Sequence, residues 1–241
     1  MKVLNDLLWD GKLKIYQNDD SFKFSLDSIL LAKFVTINDS TKNILDIGCG
    51  NAPISLMLTK RTKASILGVE LQEESYLLAK ESIKYNNCEN QITIELGDIK
   101  DKCLTLENNY YDTIVCNPPY YKNDMVKSNN ENKIIARSES NLNLDDLFKI
   151  AKKLLKDKGN IALVIDSNRL EDVIIAMKSN KIELKKLQFV YPKISKNSNI
   201  VLIEGTKNGK IGLKVLEPII IQNNEDKYTD YIVKILTEFE K

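Results

Sequence analysis

The sequence predicts an α/β fold with a doubly wound, seven-stranded, mostly parallel sheet and an antiparallel hairpin at one edge. Three observations carry this. From residue 43 onward, short apolar runs alternate with stretches of helical period. The first run ends in a tight Gly48-Cys49-Gly50-Asn51 turn, and Pro53 stands where a helix would start. Two late apolar runs then follow one another with no helix between them.

The elements follow in chain order. Residues 13–17 alternate as a strand, 18–21 form a turn cluster, and 22–24 alternate again. Ser25 is placed to cap a helix over 26–36. Strands are expected at 44–47, 65–70, 92–96, 113–116, 160–165, 184–190 and 200–205. Helices are expected from Pro53, over 73–86, over 144–156 and over 168–179. Residues 191–193 join the two late strands to a polar loop. Residues 1–36 are read as a lead-in and helix packing on the core, 37–216 as the core, and 217–241 as a C-terminal extension. The polar stretch 121–137 is a long loop of the kind that covers sites.

Composition narrows the chemistry. Of 241 residues, 43% are hydrophobic and 29% charged, which is ordinary for a globular domain. No apolar run is long enough to span a membrane. The first residues carry no apolar signal region, so a cytoplasmic protein is expected. His is absent, which removes His bases, His-ligated metals and Ser-His-Asp triads. The cysteines at 49, 88, 103 and 116 have no zinc-ligand spacing, so no metal is expected. Net charge is only +1, so any nucleic-acid signal must be local. One local excess exists: residues 178–214 hold nine lysines against two acids.

In an open α/β sheet, ligands bind outside the carboxyl ends of the strands. Asp46 to Asn51, Glu70, Asp98 and Asn117 to Tyr120 all fall there. Gly48 and Gly50 permit a tight turn and a close approach of ligand to backbone. Glu70 suits the two hydroxyls of a ribose, and Asp98 suits an adenine amino group. A dinucleotide would want a third glycine and a phosphate-friendly turn. Acids at 46, 70 and 98 without nearby Lys or Arg instead favour a cationic ligand. At Asn117-Pro118-Pro119-Tyr120 the strand stops, because Pro lacks an N–H and stiffens the backbone. The tip offers the Asn117 oxygen, the Pro118 carbonyl and the Tyr120 ring. Two acceptors beside an aromatic face suit a planar group bearing an NH2.

Asp46-Ile47-Gly48-Cys49-Gly50, Glu70, Gly97-Asp98 and Asn117-Pro118-Pro119-Tyr120 together resemble the motif set of Rossmann-like class I S-adenosylmethionine-dependent methyltransferases, in the branch that methylates amino groups. The flanks Phe24-Ser25-Leu26-Asp27-Ser28-Ile29-Leu30-Leu31, Ile135-Ala136-Arg137 and Phe189-Val190-Tyr191-Pro192-Lys193 resemble the bacterial tRNA-Val adenine-N6 subfamily, which modifies the adenine 3′ of the anticodon. The resemblance covers about residues 12–216. It implies S-adenosylmethionine as cofactor and tRNA as partner. It implies a cofactor site of Asp27, Asp46, Gly48, Gly50, Asn51, Glu70, Leu71, Asp98, Ile99 and Asn117. Asn117, Pro118 and Tyr120 are implied as catalytic, and Tyr120, Tyr121, Lys122, Arg137 and Lys193 as substrate-binding. A protein glutamine or an rRNA amino group is the alternative target of the same apparatus. One departure is Ala52, which replaces the usual third glycine. Its methyl is accommodated where φ is negative.

Overall fold

A computed structural model describes residues 1–18, 25–118 and 142–239. Strands β1 (Lys2–Asp6) and β2 (Lys14–Asn18) pair antiparallel as a small separate sheet. Helix α1 (Leu26–Phe34) follows, and then the main alternation begins. It runs β3 (Asn43–Ile47), α2 (Pro53–Leu58), β4 (Ser65–Glu70), α3 (Glu73–Tyr85), β5 (Ile92–Leu96), α4 (Ile99–Thr105) and β6 (Tyr111–Cys116). It continues through α5 (Leu144–Leu154), β7 (Leu155–Asp166), a 3-10 turn (Ser167–Arg169) and α6 (Leu170–Ser179). The remaining elements are β8 (Ile182–Lys193), β9 (Ile200–Lys207), β10 (Lys214–Val215), β11 (Ile219–Gln222) and α7 (Asp230–Thr237).

The main sheet has the order β10-β8-β9-β7-β6-β3-β4-β5, with β11 also paired to β8. From β3 the chain moves outward one way to β4 and β5, and the other way to β6 and β7. The switch point therefore lies between β3 and β6. These five strands are parallel. Strand β9 is antiparallel to both β7 and β8, as the absence of an intervening helix predicted. It lies inside the sheet, however, and β8 is flanked in turn by β10 and β11. The expected seven strands form, and two short ones extend the edge.

The strands read as apolar runs because both faces are covered. Ile44 packs on one side with Leu30, Leu56, Ile83 and Ile232, from α1, α2, α3 and α7. Its neighbour Leu45 points the other way, toward Cys103, Phe148 and Met177 of α4, α5 and α6. Phe148 is fully buried, so its truncation to Ala would cost about 3–5 kcal/mol. No helix among the described residues is long and apolar enough to cross a membrane.

Several expectations change. Ser25 occupies the N-cap of α1, but its side chain makes no capping bond. Residues 191–193 continue β8 rather than forming a connection, because β11 pairs alongside them (Tyr191 with Ile220, Lys193 with Gln222). The helix expected to reach 156 ends at Leu154, and β7 starts at once, through a register shift and a positive φ of 62° at Lys158. Helix α4 gave no periodic signal because it is one short element capped by Asp98. The alternation expected at 22–24 and the loop at 121–137 lie outside the described residues.

Two clamps fix α1 over the sheet. Arg61 donates to the carbonyls of Ala32 and Val35, which are orphaned at the helix C-terminus. Lys186 donates to Phe34 O (2.6 Å) and to Thr36 Oγ1 (2.8 Å). The buried Glu204 accepts from Thr36 N (2.6 Å) and Thr36 Oγ1 (2.7 Å). Lys186 and Lys207 are therefore structural members of the lysine-rich span. Lys207 is buried and donates to Leu155 O (2.7 Å) and Asn109 Oδ1 (2.6 Å).

Candidate active site

Parallel register sets the site. Ile47 lies opposite both Cys116 and Val69, and Glu70 lies opposite Leu96. The segments leaving these strand ends, at Gly48, Leu71, Gly97 and Asn117, are therefore neighbours. Backbone bonds close the edge: Gly48 N donates to Val69 O (2.9 Å) and Gly97 N donates to Glu70 O (2.8 Å).

Gly48 and Gly50 adopt φ of +67° and +57°, and a Cβ built on either meets nothing within 4 Å. The turn is thus left-handed and open on the side where side chains would stand. Ala52 also has a positive φ, 69°, which corrects the expectation of a negative one. An L-residue there costs about 1–2 kcal/mol relative to the right-handed conformation. Burial of the Ala52 methyl, which has no exposed surface, offsets part of that at about 0.8 kcal/mol.

Two acids face this turn. Glu70 is buried; its Oε2 accepts from Gly50 N (2.8 Å) and its Oε1 from Gln72 N (2.8 Å). Burial raises its pKa, opposed by the N–H groups of Gln72, Gly50 and Leu71. Asp46 is fully buried. Its Oδ2 accepts from Ser55 Oγ (2.7 Å), while Oδ1 has no hydrogen-bond partner among the described residues. Burial, with a smaller contribution from the Glu70 charge, pushes the Asp46 carboxyl up to about 7. A buried carboxylate with an unused oxygen, beside two open glycines, is a place for a cationic group.

The remaining sequence-predicted residues divide. Asn51 is on the turn, but its Nδ2 donates to Tyr16 O (2.8 Å), which ties β2 to the site. Ser82 of α3 and Asn86, which caps that helix, hold that same strand through side-chain bonds to the backbone of Tyr16 and Lys14. Asp98 caps α4, its Oδ1 accepting from Lys100 N (2.8 Å), and its Oδ2 lies 3.7 Å from Lys100 Nζ, so the acid at 98 does have a lysine beside it, against the sequence expectation. Ile99 is buried and Leu71 half-buried, each directly following one of the acids in the chain. Asp27 lies in the first turn of α1. Lys193 ends β8 on the same carboxyl edge, where it is ion-paired to Asp226 at 2.5 Å. Tyr120, Tyr121, Lys122 and Arg137 lie outside the described residues. Burial raises the thiols of Cys49 and Cys116 well above their ordinary value, so they are unreactive packing groups.

Asn117 and Pro118 stand half-buried at the tip of β6. Asn117 Nδ2 donates to Ser28 Oγ at 3.1 Å. Ser28 is 4% exposed and comes from α1, 89 residues earlier in the chain. No local sequence signal links the two. Only the packing of α1 on the sheet brings them together.

The model of the methyltransferase small domain family matches residues 26–188, more than half the chain. The chain belongs to this family. The match spans α1 through most of β8 and so includes Ser28, Asp46 to Asn51, Glu70, Asp98 and Asn117, while Lys193 lies beyond it. Among its relatives, the tRNA1(Val) (adenine(37)-N6)-methyltransferase of Phocaeicola vulgatus is 27% identical over 225 residues, covering 93% of each chain. The protein of the same name from Parabacteroides distasonis is 31% identical over 163 residues, covering 68% of each. A crystal structure described as a predicted O-methyltransferase from Agrobacterium tumefaciens matches with a TM-score of 0.71 at 17% identity, covering 89% of this chain and 97% of its own. The geranyl diphosphate C-methyltransferase of Streptomyces coelicolor matches at 0.58 and 12% identity, covering 76% and 77%. These two establish a shared methyltransferase fold.

Proposed function

We propose that this methyltransferase moves a methyl group from S-adenosylmethionine to the exocyclic N6 of an adenine in tRNA, the one 3′ of the anticodon in tRNA-Val. The observation that carries the reading is Asn117 at the tip of β6, next to Ile47 of β3, its amide NH2 engaged by Ser28 and its oxygen given no partner among the described residues. The names of the relatives support adenine N6 in tRNA as the target.

When bound, S-adenosylmethionine supplies a methyl group on a positively charged sulfur. The unpaired Asp46 oxygen and the open Gly48 and Gly50 turn fit its cationic methionyl end, and Asp27 closes over that end. Glu70 would hold the ribose and Asp98 the adenine, with Leu71 and Ile99 completing the adenosine site. Asn117 Oδ1 and the Pro118 carbonyl accept the two N–H groups of the target amine. This favours a more tetrahedral nitrogen with its lone pair aimed at the methyl. Pro118 stiffens the backbone, so its carbonyl need not be ordered during reaction. In-line placement of this kind is worth roughly 7–11 kcal/mol. Tyr120 stacks on the flipped base, returning about 1–3 kcal/mol. Tyr121, Lys122, Arg137 and Lys193 contact the RNA around it. The proton released from nitrogen goes to water, so no His is needed. The setting is cytoplasmic.

The test is transfer of labelled methyl from the donor to separated tRNA, rRNA and protein, with nucleosides identified by mass spectrometry. N6-methyladenosine in tRNA is expected. Label confined to rRNA or to protein glutamine would overturn the assignment.

A further inference from the structure

An asparagine amide presents an oxygen or an NH2 according to a half-turn about its last bond, and the two faces have nearly the same shape. At Asn117 the difference is decisive. The oxygen attracts an amine, whereas the NH2 would set donor against donor. Something must choose between the faces before the amine arrives.

We infer that Ser28 is a positioning residue for methyl transfer, its hydroxyl oxygen holding Asn117 Nδ2 so that the amide oxygen faces the target amine. The inference rests on the role proposed above for Asn117. Four observations support it. The Asn117 Nδ2 to Ser28 Oγ bond is 3.1 Å. Ser28 is 4% exposed, so water does not compete freely for its Oγ. A serine hydroxyl oxygen carries two lone pairs, so Ser28 Oγ can accept from Asn117 Nδ2 whichever way its own proton points. Finally, α1 is a rigid carrier. Its far end is held by Arg61 and Lys186, through bonds that involve no residue of the site.

The first turn of α1 thus reaches the tip of β6 and sets the polarity of the amine clamp. Ser28 touches neither donor nor amine. Its loss leaves both ligands bound but randomises the amide.

Four variants test this together. Ser28→Ala is expected to lower kcat about tenfold, the size of one hydrogen bond, with KM for tRNA and donor affinity within about twofold of the parent. Ser28→Thr and Ser28→Val fill the same volume, but only Thr keeps a hydroxyl; Thr is expected to restore most of kcat and Val none. Equal activity of the Thr and Val variants, or full kcat in Ser28→Ala, would overturn the positioning role. Asn117→Ala, run alongside, separates the two readings. If it stays active, the amine clamp itself is wrong; if it is inactive while Ser28→Ala is fully active, only Ser28 is.

Discussion

Two aspartates on adjacent strands sit at opposite ends of the sheet and behave in opposite ways. Asp112, near the amino end of β6, is fully used. Its Oδ2 accepts from Lys42 N and Asn43 N at 2.9 Å each, and its Oδ1 accepts from Lys156 Nζ at 2.7 Å. Burial pushes its carboxyl up, but these donors outweigh burial and hold it below the ordinary range. Asp46, at the carboxyl end of β3, is more deeply buried, has one oxygen unpaired among the described residues, and is pushed up to about 7. The amino edge is built for stability. The carboxyl edge carries an electrostatic cost, together with left-handed backbone at Gly48, Gly50 and Ala52. Such costs persist where a ligand removes them.

The contrast makes the two ends respond oppositely to pH. The folded state raises the Asp46 pKa from 3.8 to about 7, so folded protein binds more protons than unfolded protein in between. Stability associated with Asp46 is therefore full below about pH 4 and falls as pH rises toward 7, by roughly 4 kcal/mol at most. For Asp112 the pKa is lowered, so its contribution is present at neutral pH and is lost as pH falls through the folded value. Urea denaturation across pH 2–8 checks this. A stability profile in Asp46→Asn as steep as the parent's between pH 4 and 7 would break the comparison.

At the carboxyl edge, on the role proposed for Asn117, Asn117→Ala removes one acceptor from the reacting amine. Transfer is expected to fall about 10²–10³-fold, the usual effect of deleting one group aimed at the reacting atoms, while donor affinity by calorimetry stays within about threefold. At the amino edge, Asp112→Asn is expected to cost about 1–3 kcal/mol of stability, by weakening charge-assisted bonds to two N–H groups and one ammonium. Its kcat, measured below the melting transition, should match the parent's.

Legibility in the sequence followed the same division. The strand ends were readable because Gly48, Gly50, Asp46, Glu70 and Asn117 each need a particular residue type at a particular tip, and spacing alone orders the tips. The doubly wound sheet was readable because burial on both faces leaves continuous apolar runs such as 44–47 and 113–116. What escaped was set by tertiary contact. The Asn117–Ser28 bond joins residues 89 positions apart. Strand β11 and the extension of β8 through 191–193 depend on pairing with each other rather than on alternation. The φ of Ala52 is imposed by the turn around it, against the preference of alanine itself. In the lysine-rich span, Lys186 and Lys207 turned inward to satisfy carbonyls, which composition could not reveal.

The most direct measurement is Asp46→Asn, assayed at pH 8 for both thermal stability and affinity for S-adenosylmethionine. If the carboxyl edge carries a buried charge for the sake of a cationic donor, the melting temperature rises while affinity falls at least tenfold, the value of about 1.4 kcal/mol of lost charge complementarity. A variant that melts lower than the parent, or binds the donor as tightly, would contradict the account.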